Sequence, residues 1–172
     1  MPAHPLPPLP QPGPDTAEFW EGCRRHQLRI QRCAACRRAR FAPRPACPHC
    51  GDLRFAWVTA SGRGRVHSWT VIHGPTLPAF QHLVPYAAGV IALDEGVFMV
   101  GQIRGCPPEA VGEGLRVRVE FDDVGEDVSL PHWRVVGGAA TGGGGRARGS
   151  SAAARRRGTR AGRARGARTR RR

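Results

Sequence analysis

Six cysteines stand in the sequence, and four of them, Cys33, Cys36, Cys47 and Cys50, are spaced to hold a metal ion. They form two C-x2-C pairs separated by ten residues. Each pair turns the chain so that both sulfurs face one point, and two such turns complete a tetrahedron of thiolates around Zn2+ at about 2.3 Å. Four soft ligands leave no position for water, so a site of this kind holds structure and does no chemistry. Thiolates alone do not separate zinc from iron. A redox dithiol would need a βαβ surrounding for its C-x2-C, and none is legible here. Cys23 and Cys106 fall outside the spacing and read as packing residues. His49 lies inside the second pair and is an alternative to a cysteine ligand, but with four thiolates to fill the shell it is expected to point to solvent.

No other constellation promises catalysis. His67, His73, His82 and His132 have no carboxylate, serine or second cysteine at a telling spacing, so they read as polar strand or loop residues. Asp122, Asp123, Glu126 and Asp127 read as solvated charges of a hairpin turn.

The elements that must position the cysteines are short. Asp15 and Glu18 have capping-box spacing, and Phe19, Trp20 and Cys23 share a face of a helix over about 16–26. Phe19 and Trp20 either pack on the body or are offered to a partner protein. Leu28–Arg32 alternates as a strand into Cys33, and Arg40–Ala42 leads out of the first pair; strand and knuckle, repeated, is the grammar of a zinc ribbon. Leu53–Thr59 then carries the chain away from the metal. From Gly62 onward all is strand and turn. Gly64–His73 alternates with Val66, Ser68, Thr70 and Ile72 on one side and His67, Trp69 and Val71 on the other. Tyr86–Leu93 and Val97–Ile103 flank the Asp94-Glu95-Gly96 turn as a hairpin, and Leu115–Phe121 and Val128–Val136 supply two more strands. Five short strands with a break after the third, at 107–111, suit a Greek-key barrel of the OB type, and spacing alone also allows another small β-barrel.

The ends differ from this body. Residues 1–14 contain seven prolines, and 137–172 are almost entirely Gly, Ala, Ser, Thr and Arg, so both are expected to be disordered for want of apolar surface. The formal charge of +14 is a property of that tail: twelve of the 27 basic residues lie in 137–172, which holds no acid, and the other 15 face all 13 acids. The body is therefore near neutral. Nothing approaches the run of about 18 apolar residues that a membrane span needs, and the proline-rich start has no signal-peptide core. A cytoplasmic protein is expected, in which paired cysteines bind metal more often than they form disulfides.

The resulting organisation is mainly β: a Pro-rich arm 1–14, a helix 15–27, a rubredoxin-like zinc ribbon 28–56, a five-stranded OB-fold barrel 57–136, and an Arg/Gly/Ala-rich tail 137–172. The segments F-W-E-G, L-R-I-Q-R-C-A-A-C, P-R-P-A-C-P-H-C-G, S-G-R-G-R-V-H-S-W-T-V-I-H and F-D-D-V-G-E-D-V-S-L-P-H-W occur in that order between Phe19 and Trp133. Together they resemble the DUF35 family of zinc-ribbon and OB-fold proteins. The resemblance implies a non-catalytic partner of thiolase-like enzymes, or of the aldolases and hydratases of steroid side-chain degradation, working in acyl-CoA metabolism. In some members the space between ribbon and barrel holds the pantetheine arm of CoA.

On that reading Arg63 and Arg65, in a Gly-flanked turn, are candidates for the CoA phosphates, since guanidinium binds phosphate in a bidentate way. Ordinary solvated turn arginines are the alternative. Trp69 either lines an acyl channel or fills the barrel core. Phe19 and Trp20 are candidates for partner docking. A single-stranded nucleic-acid binder is the competing function, with an OB barrel and a basic tail. Strands Tyr86–Leu93 and Val97–Ile103 offer only Tyr86 and Phe98 for stacking, so binding would fall to the tail, non-specific and salt-dependent.

Overall fold

Regular alternation of apolar residues makes the strands. In Tyr86–Leu93, Ala87, Gly89, Ile91 and Leu93 are buried and their neighbours are half-exposed, the period of two that a pleated strand imposes. The computed structural model describes residues 8–125 and 127–137. The expectations for residues 1–7, Glu126 and the tail beyond 137 lie outside them.

Residues 8–13 run without regular structure into a turn and then helix α1, Ala17–Arg24. The capping box does not form. Thr16 is the N-cap residue and makes no side-chain cap; its hydroxyl accepts from the Gly13 N–H at 3.0 Å, while Glu18 pairs with Arg29 at 3.1 Å. The helix stops at Arg24, two residues before the expected end. His26 takes a left-handed φ of 55°, and the Gln27 N–H donates back to the Gly22 carbonyl at 2.8 Å.

Three short strands follow: β1 Arg29–Cys33, β2 Ala39–Arg40 and β3 Phe55–Thr59, in the order β2-β1-β3, all antiparallel. The third carries the chain away from the knuckles, as expected, and does so along β1, from Phe55 beside Cys33 to Thr59 beside Arg29. It pairs with the whole of β1, and so fixes both knuckles to one sheet.

The next five strands, β4 Arg63–Ile72, β5 Tyr86–Leu93, β6 Phe98–Arg104, β7 Arg116–Asp123 and β8 Ser129–Val135, close into a barrel of order β4-β5-β6-β8-β7. β6 and β8 run parallel and the other pairs antiparallel, the Greek-key closure of an OB fold. A short 3-10 turn at Pro108–Ala110 stands in the break after the third barrel strand. A second, Pro78–Phe80, lies in the β4–β5 connection.

The alternation of β4 is interrupted. A register shift between Val66 and Ser68 changes which residues face in. Before it, Gly64 and Val66 pair with Leu93 and Ile91; after it, Trp69 and Val71 pair with Gly89 and Ala87. A one-residue slip of this kind moves every later side chain to the other face. Trp69 is nonetheless 41 % exposed, and the tryptophan that fills the barrel is Trp133, at 0 %.

Ribbon and barrel share one core. Phe19 and Cys23 from α1, Leu28 and Ile30 from β1, and Val66, Ile91, Met99, Ile103 and Trp133 from the barrel form a single buried cluster. No helix among the described residues is long and apolar enough to cross a membrane.

Candidate metal centre and ligand-binding concavities

The two knuckles have the same construction. Cys33 donates its N–H to the Arg38 carbonyl at 3.0 Å and Cys47 to that of Asp52 at 2.9 Å, each five residues on. The residue after each second cysteine is left-handed: Arg37 at φ 62° and Gly51 at φ 75°. These turns bring the four sulfurs within 4.8 Å of one another. Cys33 Sγ lies 3.6 Å from Cys50 Sγ, and Cys36 Sγ 3.7 Å from Cys47 Sγ. Those separations are far beyond a disulfide bond and close to the edge of about 3.8 Å that a tetrahedron with Zn–S near 2.3 Å requires. The donor set fits zinc, and it has no open position.

Backbone amides prepare the sulfurs. The N–H of His49 and then that of Cys50 pull the Cys47 thiol down to about 6, against some burial. The amide of Cys36 likewise holds Cys33 below the ordinary thiol value. At Cys50 the Asp52 amide acts downward, but burial and the sulfurs of Cys33, Cys36 and Cys47 prevail and raise it to about 11. Four thiolates do not coexist at this spacing without a cation. His49 is exposed, with its Nδ1 2.9 Å from an Arg38 guanidinium nitrogen, and is not a fifth ligand. Cys23 is fully buried, which pushes its thiol up to about 12, and burial raises Cys106 as well; both behave as packing residues.

Behind the cysteines lies a brace that the sequence did not suggest. Arg40, 4 % exposed, donates through Nε to Gln31 Oε1 at 2.6 Å and through a terminal nitrogen to the Arg44 carbonyl at 2.9 Å. Its guanidinium sits 4.8 Å from the centre of the Phe55 ring. Only the β1–β2 pairing of Gln31 with Arg40 reveals the contact. The Gln31→Leu variant removes the acceptor of a buried cation and is expected to cost about 1–3 kcal/mol, read as a lowered melting temperature with metal content retained.

Three concavities are formed by described residues around this frame. One, of about 340 Å3, is lined by Arg63, Gly64, Arg65, Asp94, Arg116, Val117 and Val136. A second, of about 290 Å3, lies between ribbon and barrel, with Arg40, Phe41, Arg44, His49, Val97 and Phe98 among its walls. The third is a shallow apolar depression on the barrel, with Trp69, Val90 and Val100 in its lining. Arg63 and Arg65 thus share a site with each other but not with Trp69, and the core alternative for Trp69 does not hold. Phe19 is 5 % exposed, its ring 4.9 Å from that of Trp20 and 5.2 Å from that of Phe41. It packs inside the protein and is not offered to a partner. Trp20 is half-buried against the same core.

The acids at the end of β7 and in the turn beyond it are not simply solvated. Asp123 accepts from Ser129 at 2.5 Å and faces His26 Nε2 at 2.9 Å, Asp127 faces Arg24 at 3.2 Å, and Asp122 pairs with Arg104 at 2.6 Å. They tie the end of the helix to the barrel hairpin. His132, 5 % exposed, also has carboxylates nearby, Glu120 at 3.4 Å and Asp122 at 3.6 Å. Burial and then the Arg104 charge keep it below its ordinary value against the pull of both acids. None of the three concavities is lined by it, so it has no substrate space in those sites.

Comparison with known proteins follows the same division. Residues 20–56 match the family model "ChsH2, rubredoxin-like zinc ribbon domain", and 57–122 match "ChsH2, C-terminal OB-fold domain". The two meet inside β3. The chain is 36 % identical over 129 residues to a probable enoyl-CoA hydratase alpha subunit of Thermomonospora curvata, covering 75 % of this chain and 40 % of that protein. It therefore spans about two fifths of the length of that relative. It is 32 % identical over 120 residues to a DUF35 domain-containing scaffold protein of Methanothermobacter thermautotrophicus, covering 66 % of this chain and 86 % of that one. Among solved structures, the Ltp2-ChsH2(DUF35) aldolase superposes with a TM-score of 0.68 at 36 % identity, covering 73 % of this chain and 98 % of that chain.

Proposed function

The chain belongs to the DUF35 family of zinc-ribbon and OB-fold proteins, and from that membership we propose that it is a non-catalytic accessory subunit of an acyl-CoA enzyme. Its Cys33, Cys36, Cys47 and Cys50 hold one structural zinc ion, its barrel docks on a thiolase-like, aldolase or hydratase partner, and it supports a CoA thioester during turnover. The observation that carries this reading is the closed four-sulfur shell. A metal with no exchangeable position stiffens a scaffold and activates no substrate.

The surfaces suit the two tasks. Phe98, Val100 and Trp69 are exposed at 53 %, 71 % and 41 %, and an exposed apolar patch marks a place that another protein covers. The cleft between ribbon and barrel joins Phe41, Val97 and Phe98 to Arg40, Arg44 and His49, an apolar trough with a basic wall that suits a pantetheine arm. Arg63 and Arg65 lie across the β5–β6 turn from it, since Asp94 lines their concavity while Gly96 and Val97 line the cleft. The nucleic-acid reading finds little on the outer face of β5 and β6, where Phe98 and Val100 stand beside Ala88, Val90 and Ala92 and the arginine of that face, Arg104, is paired with Asp122.

Purification from the native host, with bound proteins identified by mass spectrometry, is expected to recover an acyl-CoA enzyme of thiolase-like, aldolase or hydratase type. The Val100→Glu variant places a charge on the docking patch and is expected to weaken that complex at least about tenfold, with metal content and melting temperature unchanged. Turnover of acyl-CoA by the isolated chain, or a complex indifferent to Val100→Glu, would overturn the reading.

A further inference from the structure

Four arginines meet on one face of the barrel, and among the described residues no acid lies within ion-pair distance of them. β4 and β7 pair antiparallel so that Arg63 lies directly opposite Arg118 and Arg65 opposite Arg116. All four are exposed, while Gly64 and Val117 between them are buried, so the guanidinium stems leave the same side of the sheet. Like charges directly opposite one another are destabilising. The neighbouring arginines of the same sheet escape this: Arg134 pairs with Glu120 at 2.7 Å and Arg104 with Asp122 at 2.6 Å. Among the described residues Arg63, Arg65, Arg116 and Arg118 have no ion pair at all. Arg65 alone makes a hydrogen bond through its side chain, to the Gly114 carbonyl at 3.1 Å.

We propose that this arginine plate binds a small ligand whose ribose bears two separate phosphate-containing groups and a flat aromatic base, the chemistry of a nucleotide phosphorylated at two positions. Residues two apart on a strand stand about 6.6 Å apart, and directly opposed residues about 5 Å apart. Four forked guanidinium groups at the corners of such a rectangle exceed what one phosphate can engage, because each phosphate is satisfied by one or two bidentate arginines. Two phosphates use all four. The concavity of about 340 Å3 beside them has Val136 in its lining, 37 % exposed, which gives an uncharged surface for a base. Asp94 lines the same concavity and repels any further phosphate, which favours a compact ligand over a continuing nucleic-acid backbone. Resting on the function proposed above, the ligand is the nucleotide end of CoA, whose diphosphate and 3′-phosphate are the two groups required. Arg116 and Arg118 then set preference for the 3′-phosphate, a role that no spacing in the sequence suggested.

The test uses the full chain, so that the basic tail contributes the same background to every measurement. CoA, 3′-dephospho-CoA, pyrophosphate and a dT oligonucleotide are titrated calorimetrically into the wild type and into the double variant Arg116→Ser/Arg118→Ser. CoA is expected to bind the wild type about tenfold more tightly than 3′-dephospho-CoA, consistent with one charge-assisted contact pair. The double variant should lose that preference and bind CoA at least about tenfold more weakly. Its melting temperature should stay level or rise, because the repulsion between opposed arginines is relieved; a fall would mean that the plate is structural and would overturn the proposal. Equal CoA binding by both proteins would also overturn it, as would a loss confined to the oligonucleotide. Capture of the partner enzyme by the double variant separates the two readings: a complex that survives while CoA binding is unaffected by the substitutions sinks the plate and leaves the accessory role standing.

Discussion

The Cys47→Ser variant is expected to lose its metal ion and, with it, the fold of the knuckles, while the barrel persists. Structural zinc in small ribbons contributes on the order of 10 kcal/mol of apparent binding energy, and a serine hydroxyl is a poor replacement for a thiolate. Cys47 is 3 % exposed and its N–H holds the Asp52 carbonyl, so the second knuckle is anchored through this residue. The damage should stop where other forces take over. Leu28 and Ile30, at the far end of β1, belong to the core shared with the barrel. Metal analysis should find one zinc per wild-type chain and less than one in the variant, and limited proteolysis should cut between residues 34 and 54. Cys106→Ser, outside the cluster, should retain a full equivalent. Acid should release the ion from the wild type, because protons compete with it for thiolates as pH falls. A Cys47→Ser protein with its full metal content would remove the basis for the assignment.

The second large effect concerns the barrel. Trp133 is fully buried, and its replacement by alanine is expected to cost about 3–5 kcal/mol. The packing around it is close: a Cβ added at Gly101 would lie 2.7 Å from Trp133 Nε1 and 2.8 Å from its Cδ1. Gly101→Ala should therefore also destabilise, by forcing the indole to move. The indole N–H is buried and meets no acceptor among the described residues. Trp133→Phe keeps most of the ring while discarding that unsatisfied donor, and should be the mildest of the three by chemical denaturation. If Trp133→Phe proved as costly as Trp133→Ala, the indole nitrogen would have a partner that this packing does not show.

The parts of the fold legible in advance were those written in local periodicity. The strand Tyr86–Leu93 has the same limits by pattern and by structure, because alternation of Ala87, Gly89, Ile91 and Leu93 toward the core is a property of the strand itself. The failures have the same cause in reverse. Asp15 and Glu18 have capping-box spacing, yet Glu18 goes to Arg29 on β1, a partner that no local window contains. Phe19 looks like a docking residue on an isolated amphipathic helix, but Phe41 comes back to cover it. The bulge between Val66 and Ser68 leaves no mark in composition, and it decides which half of β4 follows which parity.

The four cysteines at C-x2-C spacing determined, by themselves, that a closed metal site exists in this protein, and the order of elements around them determined its fold. Both are local quantities: a knuckle needs only the few residues of its own turn, and a strand only its own alternation. Tertiary structure alone decided the rest. Arg63 and Arg118 become neighbours only because β4 and β7 pair in one register, and a register between distant strands is set by core packing, which a linear pattern does not encode. The sulfur cluster is thus readable from sequence, whereas the arginine plate beside the barrel exists only in the folded chain.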